Sequence, residues 1–405
     1  MIRGTPHPFM IAQCVCYAGA RDTAYLSNAK AGCSTVRAAM IKGLRRDAGL
    51  DHEARPGSKE IHGRQPIWST DLHSIGPASK VFTVVRNPYT RILSAYLDKI
   101  ARRNALRFQF LISHRMPLDA QPSFVEFLRL LGEKPDLEVV DQHHRPQVEN
   151  VHLGRIAPVR VQYLENFSDT AGDLCAWLDW DLPIEVRATH GTDASGRLAQ
   201  FYDDEALEIV ARLYADDFEA FGYSLALEDA GTAPSVHLDI DRVDPHARWQ
   251  FDMALLKRRT SDADVARDDV QAKGPVDRML LAEAGRLNER GLADLDAELP
   301  IAWPSLSGSG RMLALLYQAR RAEEAEDLEA AIDALNKLLT MCPYLVGQRF
   351  RLAKHQIVLG RLEAARAQRF ALQHGSWQTD LVRELMILLG EAEPVPAQGQ
   401  AGAPT

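Results

Sequence analysis

Asn28-Ala-Lys-Ala-Gly-Cys-Ser-Thr-Val-Arg37 and Val81-Phe-Thr-Val-Val-Arg-Asn-Pro-Tyr-Thr-Arg-Ile-Leu-Ser-Ala-Tyr96 decide the architecture of the first half of the chain. Each predicts an apolar strand that turns into a helix, with cationic and hydroxyl side chains at the junction. The first follows the strand-like Thr23-Ala-Tyr-Leu-Ser27 and offers Gly32 for close backbone approach, with Ser34 and Thr35 at a helix start. Backbone N–H groups at such a start lack intrahelical partners and point at an anion, and the helix dipole adds to the attraction. Lys30 supplies a mobile point charge on a long stem. In the second segment Arg86 stands at the carboxyl end of a buried strand, Asn87 is a good N-cap, Pro88 a good first helical residue, and Ser94 lies two turns on. Ligands of open α/β sheets bind at the carboxyl ends of the strands, so the pair is arranged to hold two separate phosphate groups of one ligand. A P-loop kinase needs Gly-x-x-x-x-Gly-Lys-(Ser/Thr). Here the lysine precedes the glycine and that string is absent, so the kinase reading fails.

Strand–helix alternation continues beyond the two segments. Ser123-Phe-Val-Glu126 predicts a capping box, residues 158–163 a strand, Ser168 the cap of a helix reaching Trp177, and residues 204–220 one long helix. The expected fold is therefore α/β, a three-layer and mainly parallel sheet over residues 20–228. Residues 229–275 lack periodicity and read as a linker or extension. Further on, Asp327-Leu-Glu-Ala-Ala331 and Arg361-Leu-Glu-Ala-Ala365 repeat Leu-Glu-Ala-Ala thirty-four residues apart, with Pro343 between them. That is the tetratricopeptide period, so residues 276–390 are expected to form an all-α, TPR-like module in which residues 276–289 and 310–321 stack on the two units. An ordinary helical bundle is the competing reading. Residues 391–405, rich in Pro, Ala and Gly, are expected to be disordered.

Bulk properties narrow the function. A chain of 405 residues is too long for one typical core, and 46% hydrophobic with 25% charged residues is ordinary globular composition. A net charge of −8 disfavours a general nucleic-acid binder. Yet between Lys80 and Arg115 eight cations face one anion, Asp98, which suits a multiply anionic ligand unless it is simply a solvated helix face. Pro6, His7 and Pro8 interrupt the early apolar run, no stretch approaches bilayer length, and five cysteines are not spaced as a zinc site. A cytoplasmic protein is expected.

The first segment resembles the 5′-phosphosulfate loop, Pro-Lys-x-Gly-Cys-(Ser/Thr), of sulfotransferases that use 3′-phosphoadenosine 5′-phosphosulfate (PAPS). The second is similar to their 3′-phosphate motif, Arg-(Asp/Asn)-Pro-(Tyr/Phe)-x-Arg-x-x-Ser-x-Tyr, at every fixed position from Arg86 to Tyr96. Asp141-Gln-His-His-Arg-Pro-Gln147 resembles the Asp-x-His-Trp-Arg-Pro of the Golgi, chondroitin-like branch and its bacterial relatives, and residues 202–224 look like that branch's closing helix. The resemblance covers roughly residues 20–225. Ala29 stands where the family has proline, and His144 where it has tryptophan.

The resemblance implies transfer of a sulfuryl group from PAPS to a hydroxyl of a carbohydrate or other glycan-like acceptor. Adenosine 3′,5′-bisphosphate would be the product and no metal would be needed. Lys30, with Ala31, Gly32, Cys33, Ser34 and Thr35, would bind the 5′ end and neutralise charge at the bridging oxygen. Arg86 and Ser94 would hold the 3′-phosphate, with Arg91 supporting the loop or assisting. The acceptor hydroxyl needs a neutral imidazole or a carboxylate as general base, and His62 is the first candidate, His143 oriented by Asp141 the second, and His73 the third. Asp141, His143 and His144 also invite a metal reading, but they lack helical ligand spacing. The rival function is non-catalytic: a nucleotide-binding or scaffold protein whose repeats engage a protein partner. Partners through the repeats, or self-association, are expected under either reading, and nucleic acid is not.

Overall fold

The computed structural model describes residues 11, 14–54, 56–62, 68–69, 71–102, 105–133, 141–180, 184, 192–235, 238–255, 272, 274–343, 345–375 and 379–391. The expected tail beyond residue 391 lies outside them.

Among the described residues five strands form one sheet in sequence order: β1 (Val15–Ala18), β2 (Thr23–Leu26), β3 (Lys80–Val85), β4 (Val159–Tyr163) and β5 (Asp239–Ile240). The central strands β2, β3 and β4 are parallel, while β1 and β5 pair antiparallel at the two edges. The sheet is thus mixed, parallel through its centre as expected, with an antiparallel strand at each edge. β1 and β2 are joined by the short turn at residues 19–22, which allows only antiparallel pairing.

The pattern of side chains explains the burial. Tyr25, Phe82 and Val84 point to one face, where they pack with Val36, Met40 and Leu44 of helix Cys33–Asp47 and with Phe167, Ala171, Leu174 and Leu178 of helix Phe167–Leu178. Tyr25 and Phe82 stack with ring centroids 5.1 Å apart. Ala24, Leu26, Val81 and Val85 alternate to the other face and are buried too. Both faces of the sheet are therefore covered, as strands this continuously apolar require.

Asn87 caps helix Pro88–Ala95 through Tyr89 N, at 3.0 Å. Ser123 and Glu126 form the reciprocal capping box of helix Phe124–Gly132. Ser168 does not cap: the helix begins a residue earlier, at Phe167, with Asn166 at its N-cap and Ser168 Oγ turned to Asp169. The long helix expected over residues 204–220 is two, Asp204–Leu213 and Ala215–Phe221, broken at Tyr214. Tyr214 donates its hydroxyl to His144 O at 2.6 Å, an anchor available only in the folded chain. The segment expected as a linker contributes β5 and helix Pro245–Leu255.

The chain divides into two compact units: Met1–Arg102 with Gln121–Tyr317, and Arg103–Ala120 with Gln318–Thr405. The expected boundary near residue 228 falls inside the first unit. Helix Pro275–Glu283 belongs to that unit and packs against Pro245–Leu255 and Glu289–Ala302. In the second unit, helices Val346–Val358, Leu362–Gly375 and Thr379–Leu388 pack around Ala353, Leu372 and Leu385, and helix Leu328–Met341 packs against Val346–Val358. Helix Ala105–Ser113, which lies in sequence between two parts of the sheet unit, packs against Leu362–Gly375.

Candidate functional site

The three parallel strands end at the same edge, and their exits bring the charged residues together. After β2 the chain turns through residues 27–32 into helix Cys33–Asp47, with Gly32 at its N-cap in the left-handed region (φ +75°). A Cβ on Gly32 would come within 3.0 Å of Leu164 Cδ1, so both conformation and space call for glycine there. Lys30 is also left-handed, at φ +66°, which costs a lysine free energy that the surrounding contacts must offset. Among the described residues, the N–H groups of Gly32, Cys33 and Ser34 have no backbone acceptor. An anion can take that place.

Lys30 Nζ lies 3.1 Å from Asp98 Oδ2. Burial pushes the Lys30 ammonium below its ordinary range, and Asp98 opposes that shift. Burial alone would raise Asp98, but Lys30 and Lys99 outweigh it and hold the carboxyl at about 2. Asp98 sits on a π-helical turn, Tyr96–Ile100, that continues helix Pro88–Ala95. Such turns widen a helix by one residue and are frequent at functional sites.

Arg86 leaves β3 with Nε 2.9 Å from Thr90 Oγ1 and NH1 3.4 Å from Lys30 O. Burial lowers its pKa, while Glu165 raises it. Ser94 is buried and accepts from Thr192 Oγ1 at 3.0 Å. Arg91 is fully buried and donates to three carbonyls, Ala29 at 3.0 Å, Arg145 at 2.9 Å and Gln142 at 3.0 Å. All of these are backbone acceptors, so Arg91 ties the first loop to the Asp141–Gln147 segment.

His62 ends the short helix Ser58–His62, and its Nε2 stands 3.3 Å from Ser34 Oγ in the loop helix. His143 Nδ1 lies 2.5 Å from Asp141 Oδ1, which also accepts the His143 N–H at 2.9 Å. Burial would raise Asp141, but His143 and His144 drive it far below the carboxylate range. His144 is buried with its ring edge-on to Phe127, a packing role in the position of the expected tryptophan. His73 pairs with Asp252 at 3.6 Å, and its carbonyl accepts from Arg248. No group of three or more His, Cys, Asp or Glu among the described residues could hold a metal ion.

Four residues at this edge escape the sequence reading. Asp98 is the partner of Lys30. Glu165, just beyond β4, accepts Asn87 N at 2.8 Å and the Tyr223 hydroxyl at 3.0 Å. Asn28 and Gln147 meet through Asn28 Nδ2 and Gln147 Oε1 at 2.7 Å. The one signal for Asn28 and Glu165 is their place just after a strand's carboxyl end.

Residues 24–224 match a family model described as the sulfotransferase family. The match identifies that stretch as a sulfotransferase-family domain, and sulfuryl transfer is the chemistry that goes with it. No curated protein and no solved structure gives a significant match.

Proposed function

We propose that the protein is a PAPS-dependent sulfotransferase that sulfates a hydroxyl of a carbohydrate or other glycan-like acceptor. The observation that carries this is the meeting of Lys30, the open N–H groups of Gly32 to Ser34, and Arg86 at one sheet edge, with Arg86 NH1 3.4 Å from Lys30 O. These groups fit a ligand with phosphates at both ends. Gly32 admits close backbone approach, and two half-buried cations, Lys30 and Arg86, supply charge. When bound, the donor supplies the sulfuryl group. Lys30 and the loop N–H groups then stabilise negative charge at the 5′ end, and Arg86 with Ser94 holds the 3′-phosphate. His62 is the proposed base, because its ring reaches the start of the donor-loop helix, 3.3 Å from Ser34 Oγ. His143, oriented by Asp141 at 2.5 Å, is the alternative.

We place the protein in the cytoplasm. The helices of the second unit are proposed to be a TPR-like module for a protein partner or self-association. A non-catalytic scaffold would have no use for a half-buried, left-handed lysine at a helix start, so the enzymatic reading is preferred. Lys30→Ala tests it. The variant should stay folded, its melting temperature lowered by no more than the loss of the Asp98 pair accounts for, and lose about a hundred- to a thousandfold in sulfuryl transfer, as loss of one preorganised donor does. Retention of more than about a tenth of wild-type turnover would remove Lys30 from its role.

A further inference from the structure

We propose that Gln147 is a positioning residue that fixes the distance between the two phosphate-holding segments, so that a nucleotide with phosphates at both ends is gripped as one ligand. This rests on the donor site proposed above. The β2–β3 ladder ends at Leu26 opposite Thr83, where Thr83 Oγ1 still donates to Leu26 O at 2.7 Å. Beyond that point the strands diverge into their separate turns, and side chains bridge them: Asn28 Nδ2 donates to Val84 O at 3.3 Å, Arg86 and Arg91 reach the carbonyls of Lys30 and Ala29, and the Gln147 amide bonds to both segments at once. Gln147 is fully buried. Its Oε1 accepts from Asn28 Nδ2 at 2.7 Å on the first segment and from Arg86 N at 2.9 Å on the second, and its Nε2 donates to Arg86 O at 2.8 Å.

The backbone of Gln147 is itself held, because its N–H and that of Val148 donate to the two oxygens of buried Asp217, at 2.8 and 2.9 Å. Asn150, three residues on, donates from Nδ2 to Asn28 Oδ1 at 3.3 Å. The Gln147 amide both accepts from two donors and donates to a carbonyl at one place. Glutamate lacks the donor, and methionine lacks both functions. The segment Asp141–Gln147 thereby acquires a second role, as the clamp of the donor site beside its imidazole.

A clamp of this kind acts on span. Two phosphates on one ligand gain from each other only while their sites stay at the matching separation, and a loosened separation forfeits that gain while sparing each site alone. The test is calorimetric titration of the full chain with adenosine 3′,5′-bisphosphate, adenosine 5′-monophosphate and adenosine 3′-monophosphate. Gln147→Met should weaken the bisphosphate about tenfold or more and each monophosphate by less than about threefold. Asn28→Ala, which cuts the arm to the first segment together with the Asn28 Nδ2 bond to Val84 O and leaves the Arg86 bonds to Gln147 in place, should give the same signature. It serves as the test if the buried Gln147→Met chain does not fold. Equal losses for all three nucleotides, or an undiminished bisphosphate affinity, would overturn the proposal by reducing Gln147 to packing. A wild-type chain that does not prefer the bisphosphate over both monophosphates would instead overturn the donor site on which it rests.

Discussion

Lys30 and Arg86 do opposite work at the scale of single residues. Lys30 sits in a strained backbone region and is paired with Asp98, so its charge must be handed from a carboxylate to the ligand. Arg86 is anchored by Thr90 and the Lys30 carbonyl, and is already aimed. Arg86→Ala should therefore act on binding of the 3′-phosphate, costing about 1.5–3 kcal/mol, and Ser94→Ala less. In titrations the Arg86 variant should bind 3′-phosphorylated and 3′-dephosphorylated nucleotides alike. An intact preference for the 3′-phosphate would reassign the contact. The Lys30–Asp98 pair makes a separate, pH-linked prediction. Asp98 is held at about 2 in the fold against an ordinary value near 3.8. Its contribution is present above the unfolded value and is lost as pH falls from about 4 towards 2. Asp98→Asn should lower stability by about 1–2 kcal/mol at neutral pH and flatten the acid limb of the melting-temperature profile. A parallel acid limb in wild type and variant would show that the pair contributes nothing. The sequence makes Lys30 and Arg86 legible because each lies within a motif. Asp98 and Gln147 are not, since their meaning comes from segments brought close only by the fold.

Among the elements, the strands are the best-read part of the chain. β2, β3 and β4 stand where alternation and apolar runs predict them, and Asn87-Pro88 and Ser123-x-x-Glu126 start helices by local chemistry that needs no tertiary help. Misreadings occur where a distant contact decides. Tyr214 breaks a helix to reach His144 O, and β5 forms in an aperiodic segment because β4 offers it an open edge. The Leu-Glu-Ala-Ala repeat has a backbone counterpart. Glu326 and Gly360, thirty-four residues apart, are both left-handed, at φ +59° and +70°. Each closes the same turn: Glu326 N to Glu323 O and Asp327 N to Ala322 O in one, Gly360 N to Ile357 O and Arg361 N to Gln356 O in the other. This is the Schellman helix end, which prefers glycine at the left-handed position. Ala331 and Ala365, the matching residues of the following helices, are both fully buried. Glu326→Gly should accordingly stabilise the second unit by about 0.5–1 kcal/mol, and Gly360→Ala should destabilise it by about 1 kcal/mol. Denaturant unfolding of the two variants checks this, and a destabilising Glu326→Gly would mean that the glutamate side chain matters more than its backbone.

At the scale of the whole molecule, the division of the chain is the feature no local pattern announces. Residues 103–120 leave the sheet unit, contribute helix Ala105–Ser113 to the C-terminal helices, and return at Gln121. Periodicity marks a helix there but cannot tell which core its apolar face joins. Gln109 and Ile112 line a small cleft with Pro343, Val346, Arg349, Ala371 and Leu372, all within the second unit. Two cuts therefore have different consequences. Ending the chain near Leu227 removes β5 and the helices through Ala302, which belong to the first unit, and uncovers the edge of β4. Ending it after Tyr317 spares that unit but strips the partners of Ile112, leaving an apolar helix in solvent. Because Lys30, Arg86, Ser94 and Gln147 all lie in the first unit, chain 1–317 should retain nucleotide binding while becoming prone to aggregate through helix Ala105–Ser113. Ile112→Lys in the same fragment should restore solubility without altering affinity for adenosine 3′,5′-bisphosphate. Light scattering and titration of the two fragments decide the matter: a soluble 1–317 variant that binds no nucleotide would make the second unit part of the donor site, and the division of labour between the units would be lost.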